Sequence, residues 1–272
     1  GLDRQIAQKS FEPAAIDVHP FRAPEPVVSL VLGQSARERY GVPYAVMHRA
    51  DLADILLRAC RRFANIDIAF DVRGFDAVSH ARGVSVTADE AGGASRSARV
   101  HAFVGADGVN SETRTRVIGG PAASYSGYVA WRTTLKSDLL KGAVAPDRTT
   151  LLMAPGYHAV CYPLPQRDQI NVALFVKEKP ERVFAETSPK EPKLPWAALP
   201  SPQFEAIAEA AKGAWGYWVC NIVDAPKWHA GGIGIVGDAA HAMLPFQAQG
   251  AAMAIEDAAI LAPLLMTEPD AE

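Results

Sequence analysis

The chain has 272 residues, 49% of them hydrophobic and 21% charged, enough for one large or two interleaved globular domains. A formal net charge of −3 and the lack of a concentrated Lys/Arg stripe argue against nucleic acid as a partner. No run approaches the roughly 18 consecutive apolar residues of a membrane span, and the opening GLDRQIAQKSFEP lacks the apolar core of a signal peptide, so the expectation is a cytoplasmic protein without a membrane partner. Cys60, Cys161 and Cys220 are scattered, with no C-x-x-C or H-E-x-x-H spacing. They read as core or near-core thiols rather than as a disulfide framework or a metal site.

Residues 51–63, DLADILLRACRRF, place Leu52, Ile55, Leu56, Ala59 and Phe63 on one helical face, with Asp51 as the cap and Arg58, Arg61 and Arg62 toward the C-terminal end. The runs GFDAVSHARG, VSVTADEAGG and SRSARVHAFVGADG alternate between Gly-containing turns, which predicts a three-stranded meander whose last strand ends at the loop beginning with Gly105. After a Gly-Gly-Pro break at 119–121, YVAWRTTL, HAVCYPLP and QINVALFV read as strands, the last two joined through a polar QRD turn. The Pro-, Lys- and Glu-rich stretch 177–202 reads as a surface excursion, QFEAIAEAAK as a short helix and WGYWVCNIV as a strand.

Residues 232–237 spell G-x-G-x-x-G, the pattern of a loop that cradles a dinucleotide pyrophosphate. A working fingerprint follows a buried strand and opens a helix, whereas here the preceding APKWHAG is polar and the strand-like residues are the IGIV between the glycines. The more informative feature is Gly237-Asp238, where that strand ends in a carboxylate. The chain then passes through AAHAMLPFQAQG into a helix that Pro263 should kink or stop. A carboxylate at the C-terminal end of a strand, with the start of a helix near Gly250, suits a ligand carrying hydroxyls and an electron-rich edge. GADGVNSETR at 105–114 repeats the logic, with a tight turn and a Ser111-x-x-Arg114 segment that can begin a helix.

MHRADL at 47–52, GADGVNSETR at 105–114 and GDAAHAMLPFQAQGAAMAIEDA at 237–258 together resemble the single-component FAD-dependent aromatic hydroxylases, above all the salicylate hydroxylase and 3-hydroxybenzoate 6-hydroxylase branch. The likeness runs from about residue 30 to 265. It implies an α/β fold, a p-hydroxybenzoate hydroxylase-like FAD/NAD(P)-binding domain (1–119 and 225–272) with an inserted sheet-rich substrate domain (120–224). It also implies a reaction in which NADH or NADPH reduces FAD and O2 then forms a flavin hydroperoxide that hydroxylates a small phenolic substrate. By position, the resemblance assigns the FAD ribityl chain to Asp238 of Gly237-Asp238, the flavin ring to the loop through Pro245, the pyrimidine edge to the helix start at Gly250 and Ala251, and a place against FAD to Arg49. Asp107 matches a motif residue associated with FAD and NAD(P)H, with Gly108 and Arg114 in support.

His158, in an H-x-V-x-Y-P pattern of this branch, is the candidate base, with Tyr162 further along the same strand face. Gln249 is a candidate hydrogen-bond donor to substrate, and His241 reads as structural. A homodimer is a further family-level expectation. The family's own G-x-G-x-x-G, after an N-terminal strand, is not among these residues, so the sequence reads as an incomplete view lacking the N-terminal βαβ part, with activity expected of the complete protein. Alternatives are a same-fold epoxidase, an antibiotic-modifying monooxygenase or a remnant that binds a small aromatic ligand without FAD; an NAD-only dehydrogenase built on Gly232 is disfavoured by its local context.

Overall fold

A computed structural model describes the chain except residues 22, 24, 186–188, 194–200 and 268–272. Its backbone contacts divide it into two compact units, one formed by 1–67 and 127–219, the other by 68–126 and 220–272.

The first unit is built on a seven-stranded sheet in the order Gly216–Ile222, Ser124–Lys136, Gln169–Lys177, Tyr157–Leu164, Thr149–Ala154, Ala15–His19, Val28–Val31. Ala15–His19 runs parallel to Thr149–Ala154. The three strands expected from the sequence are present, and Tyr157–Leu164 pairs antiparallel with Gln169–Lys177 across a short turn through Arg167 in which Asp168 is left-handed. The strands Ala15–His19 and Val28–Val31 belong to this sheet too, so the sheet draws on residues outside the 120–224 stretch.

Alternation explains the sheet. In Ser124–Lys136 the side chains Trp131, Thr133 and Leu135 are buried while Arg132, Thr134 and Lys136 are exposed. In Tyr157–Leu164 the odd positions Tyr157, Ala159 and Cys161 are buried and the even positions His158, Val160 and Tyr162 are half-buried. Pleating sends successive side chains to opposite faces, so His158 and Tyr162 share one. The buried face is covered in part by the helix Pro202–Ala210, whose Phe204 ring lies 5.3 Å from that of Tyr157.

Cys161 is the expected core thiol, and burial pushes it up to about 12, which keeps it protonated and unreactive. Cys60 and Cys220 are only half-buried. Of the 177–202 stretch, Pro180–Ala185 is a helix, and 186–188 and 194–200 lie outside the described residues.

Two details of the helix expected over 51–63 differ from the sequence reading. It spans Arg49–Cys60, and its cap is His48, whose Nδ1 accepts a hydrogen bond from the Ala50 amide at 3.2 Å. Asp51 is instead spent on a two-pronged pair with Arg167, at 2.7 and 3.0 Å. Ile55 is buried, but Leu56 and Phe63 of the expected apolar face are exposed, Phe63 lying beyond the helix end.

The second unit holds the predicted meander, Val72–His80, Gly83–Glu90 and Ser95–Val100, in that order. The meander ends at Val100 rather than at Gly105. Phe103–Gly105 is a separate short strand that joins another sheet, parallel to Ile233–Ile235 with Phe103 opposite Ile233 and Gly105 opposite Ile235. Ala77, Val84 and Ile233 form the core between these layers, with Val86, Val100 and Phe103 packed against them.

Pro263 lies inside the helix Gly250–Thr267 and does not stop it; four residues later, Thr267 Oγ1 donates to the Pro263 carbonyl. A proline inside a helix lacks the amide for the bond to the carbonyl four residues earlier, but the turns around it keep theirs. By length and composition this 18-residue helix is apolar enough to cross a membrane, though Glu256 and Asp257 interrupt it and Asp257 is bonded to the folded unit. Its Ile260, Leu261 and Leu264 line, with Phe103, Ile233 and Ile235, a groove of about 600 Å³.

Leu174, fully buried at the centre of Gln169–Lys177, measures what the first unit's core contributes. Leu174→Ala is expected to lower unfolding free energy by about 2–5 kcal/mol in a denaturant titration, against less than about 0.5 kcal/mol for Thr134→Ala on the exposed face of the neighbouring strand.

Candidate functional site

In the second unit, Phe103–Gly105 and Ile233–Ile235 run parallel and in register, so their C-terminal ends lie side by side and two Gly/Asp turns leave the same sheet edge. The first turn is self-contained. Asp107 Oδ1 accepts from the Ser111 hydroxyl at 2.5 Å, and its Oδ2 accepts from the Thr113 amide at 2.9 Å and the Thr113 hydroxyl at 3.0 Å. Gly108, at φ 77°, makes the sharp bend that lets the carboxylate reach back over its own loop. Ser111 Oγ in turn accepts from the Arg114 amide at 2.8 Å, which starts the single helical turn Thr113–Val117.

Arg114 is fully enclosed and points inward. Its guanidinium donates to the carbonyls of Val109, Pro121 and Ala239 at 2.6, 2.7 and 2.8 Å. It braces the two turns against each other from within.

The second turn is open. Gly237 has φ 59°, and a Cβ there would stand 3.1 Å from the Ala254 methyl, so the strand end packs directly on the Gly250–Thr267 helix. Asp238 begins the short helix Asp238–His241, is exposed, and makes no hydrogen bond among the described residues. A Cβ built on Gly250 would stand 3.7 Å from Asp238 Oδ1, which sets the carboxylate beside the start of the long helix.

The Met253 amide donates to the Gln249 carbonyl, so the amides of Gly250 and Ala251 precede the first intrahelical bond. Between the two lies the short 3-10 turn Pro245–Gln247, followed by Ala248 at φ 54°. A left-handed alanine costs roughly 1–2 kcal/mol and is held here by its surroundings, directly before Gln249 and Gly250. Gln249 itself is exposed.

Sequence reasoning missed the partner of His241. Asp257 Oδ2 accepts from the Gly237 amide and pairs with His241 Nε2, each at 2.7 Å, while the Trp228 ring lies 5.2 Å from the imidazole. The signal was available in the spacing, because Asp257 lies seven residues after Gly250 and so shares its helix face.

In the first unit, His158 is stacked on Phe175 at 4.9 Å, and burial holds its imidazole below the ordinary histidine value. Tyr162 lies on the same face; burial raises its phenol, Arg132 opposes that rise and Tyr44 adds to it. Tyr44 and Arg132 were not singled out from the sequence. Arg49, the first residue of its helix, is exposed and makes no ion pair among the described residues. A cation at a helix N-terminus opposes the helix dipole, so helix stability does not explain it.

A carboxylate without a hydrogen bond among the described residues, beside helix amides that precede the first intrahelical bond, fits FAD well: Asp238 can accept from a hydroxyl of its ribityl chain, and the amides at Gly250 and Ala251 suit a ring edge that gains negative charge. The fold and this donor set suit a flavin-binding protein. The chain belongs to the FAD binding domain family, which matches residues 21–268, and FAD is its cofactor.

It is 29% identical over 254 residues to 3-hydroxybenzoate 6-hydroxylase 1 of Aquipseudomonas alcaligenes, covering 90% of this chain and 61% of the relative. It is 31% identical over 273 residues to 3-amino-4-hydroxybenzoate 2-monooxygenase PtnB3 of Streptomyces platensis, covering 97% and 65%. The chain thus spans less than two thirds of the length of either. The fold matches that of a salicylate hydroxylase substrate complex with a TM-score of 0.72 at 21% identity, over 99% of this chain and 69% of the other.

Asp107 gives a pH test. Burial raises its carboxyl, but the bonds from Ser111 and Thr113 outweigh that and hold it below the ordinary value. A group depressed in the folded state adds stability that is present above its unfolded value and lost as pH falls through its folded one. Acid unfolding of the wild type should therefore steepen below about pH 4, and Asp107→Asn should flatten that limb while lowering stability at pH 7.

Proposed function

We propose that the complete protein is an FAD-dependent monooxygenase that uses NADH or NADPH and O2 to hydroxylate a small aromatic substrate bearing a phenolic hydroxyl, most simply a phenolic acid. The observation that carries this reading is His158: a half-buried imidazole, kept neutral by its surroundings, on the sheet face that also bears Tyr162, in a chain whose family binds FAD. The relatives support the substrate class, since both are named for hydroxybenzoates.

Bound FAD supplies the redox chemistry, taking electrons from the nicotinamide and activating O2. Asp238 and the amides of Gly250 and Ala251 would hold the cofactor. The residues of the sheet face handle the substrate.

A phenol ring attacks an electrophilic oxygen far better once its hydroxyl proton has left, so a base must take that proton. A neutral imidazole can accept it at pH 7, and burial lowers the His158 pKa, which widens the pH range over which it is ready. Tyr162, whose raised pKa keeps it protonated, donates to a substrate oxygen.

The test is product formation coupled to NAD(P)H oxidation, screened with phenolic acids on the complete protein. His158→Asn is expected to lower kcat/KM by about 10²-fold or more at pH 7. The loss should shrink as pH rises toward the phenol's own value near 10, where substrate ionises unaided. A variant with wild-type rate and an unchanged pH profile excludes His158 as the base.

A further inference from the structure

We propose that Asp257 is a positioning residue for FAD, which fixes the Gly237-Asp238 turn to the helix whose start faces the cofactor. The inference rests on the FAD reading of this site and concerns two side chains that reading leaves unused.

Both hydrogen bonds to Asp257 converge on one oxygen, Oδ2, from the Gly237 amide and from His241 Nε2, each at 2.7 Å. Gly237 immediately precedes the helix Asp238–His241, and His241 closes it. The two ends of that four-residue helix are therefore fastened to one carboxylate oxygen, and Asp238 lies between the fastenings.

Asp257 belongs to the Gly250–Thr267 helix, two turns beyond its first residue, so a rigid helix carries the tie to the amides of Gly250 and Ala251. The carboxylate that takes a ribityl hydroxyl and the amides that face the ring edge are thereby held at one spacing. A carboxylate can only accept here, so His241 Nε2 carries the proton. The imidazole plane is set by Trp228, 5.2 Å away and inclined at 47°. The His241 Nδ1 is buried with no partner among the described residues, so the bond to Asp257 fixes the ring's polar contacts.

Because both bonds use the same oxygen, Asp257→Asn can keep them with its carbonyl, whereas Asp257→Leu keeps the volume and loses both. The complete protein, stripped of flavin, is titrated with FAD and followed by its visible spectrum, and the apoprotein is melted in parallel. The expected result is an FAD dissociation constant within about threefold of wild type for Asp257→Asn, and at least about tenfold weaker for Asp257→Leu, with a displaced flavin band in the bound fraction. His241→Phe, which keeps the ring against Trp228 but removes the donor, should fall between them and show the same displacement.

A merely structural role would lower the apoprotein melting temperature and leave the band and the affinity of the folded fraction unchanged. That result for Asp257→Leu overturns the proposal. Should Asp257→Leu fail to fold, His241→Phe decides alone, unchanged affinity and band being the contrary result. Failure of the unaltered protein to bind FAD overturns the cofactor reading instead, and the two failures are distinct.

Discussion

Within the second unit, the buried guanidinium of Arg114 joins the two turns on which the cofactor site depends. Taking a cation out of water is costly unless it is hydrogen-bonded, and here each guanidinium nitrogen donates to a carbonyl, at Val109, Pro121 and Ala239. The Asp107 carboxylate reaches the same residue indirectly, because Ser111 donates to Asp107 and accepts from the Arg114 amide. Parallel pairing of two very short strands would hold the turns weakly. The enclosed arginine replaces missing ladder length with charge-assisted bonds to backbone. What remains free for a ligand is the carboxylate that this network leaves out, Asp238.

The chemistry divides by unit. Electrostatic complementarity to a flavin, meaning a free acceptor and the positive end of a helix, belongs to the second unit. The proposed proton handling belongs to the first, where alternation along Tyr157–Leu164 gives one strand a buried apolar face and a half-buried face with His158 and Tyr162. The same burial that stabilises the sheet acts on the proposed base: partial desolvation disfavours the His158 imidazolium.

Much of this was legible in the sequence where local pattern and tertiary role agree. Period-two alternation marked the long strands, and the strand end that leads through Gly237 into a helix start at Asp238 was readable from local pattern. The IGIV strand between the glycines of 232–237 proved to be Ile233–Ile235, with both isoleucines packed in the core.

What escaped was non-local. Asp51 looks like a cap from its neighbours alone, but Arg167, 116 residues away, claims it and His48 takes its place. The run through Val100 and Gly105 looks like one strand, yet its two halves pair with different sheets. Asp257 carried a helical spacing that could have exposed it, but its partners Gly237 and His241 become visible only once the turn has folded back onto the helix.

The central claim is that Asp238, left free by the network around it, holds FAD. Its most direct test is the visible spectrum of the complete protein, wild type and Asp238→Ala, after incubation with FAD and removal of unbound cofactor. The account predicts an oxidised-flavin band in the wild type and its loss, or a dissociation constant weaker by about tenfold or more, in Asp238→Ala, with the apoprotein fold unchanged. A wild type that retains no flavin, or an Asp238→Ala protein that retains it equally well, would contradict it.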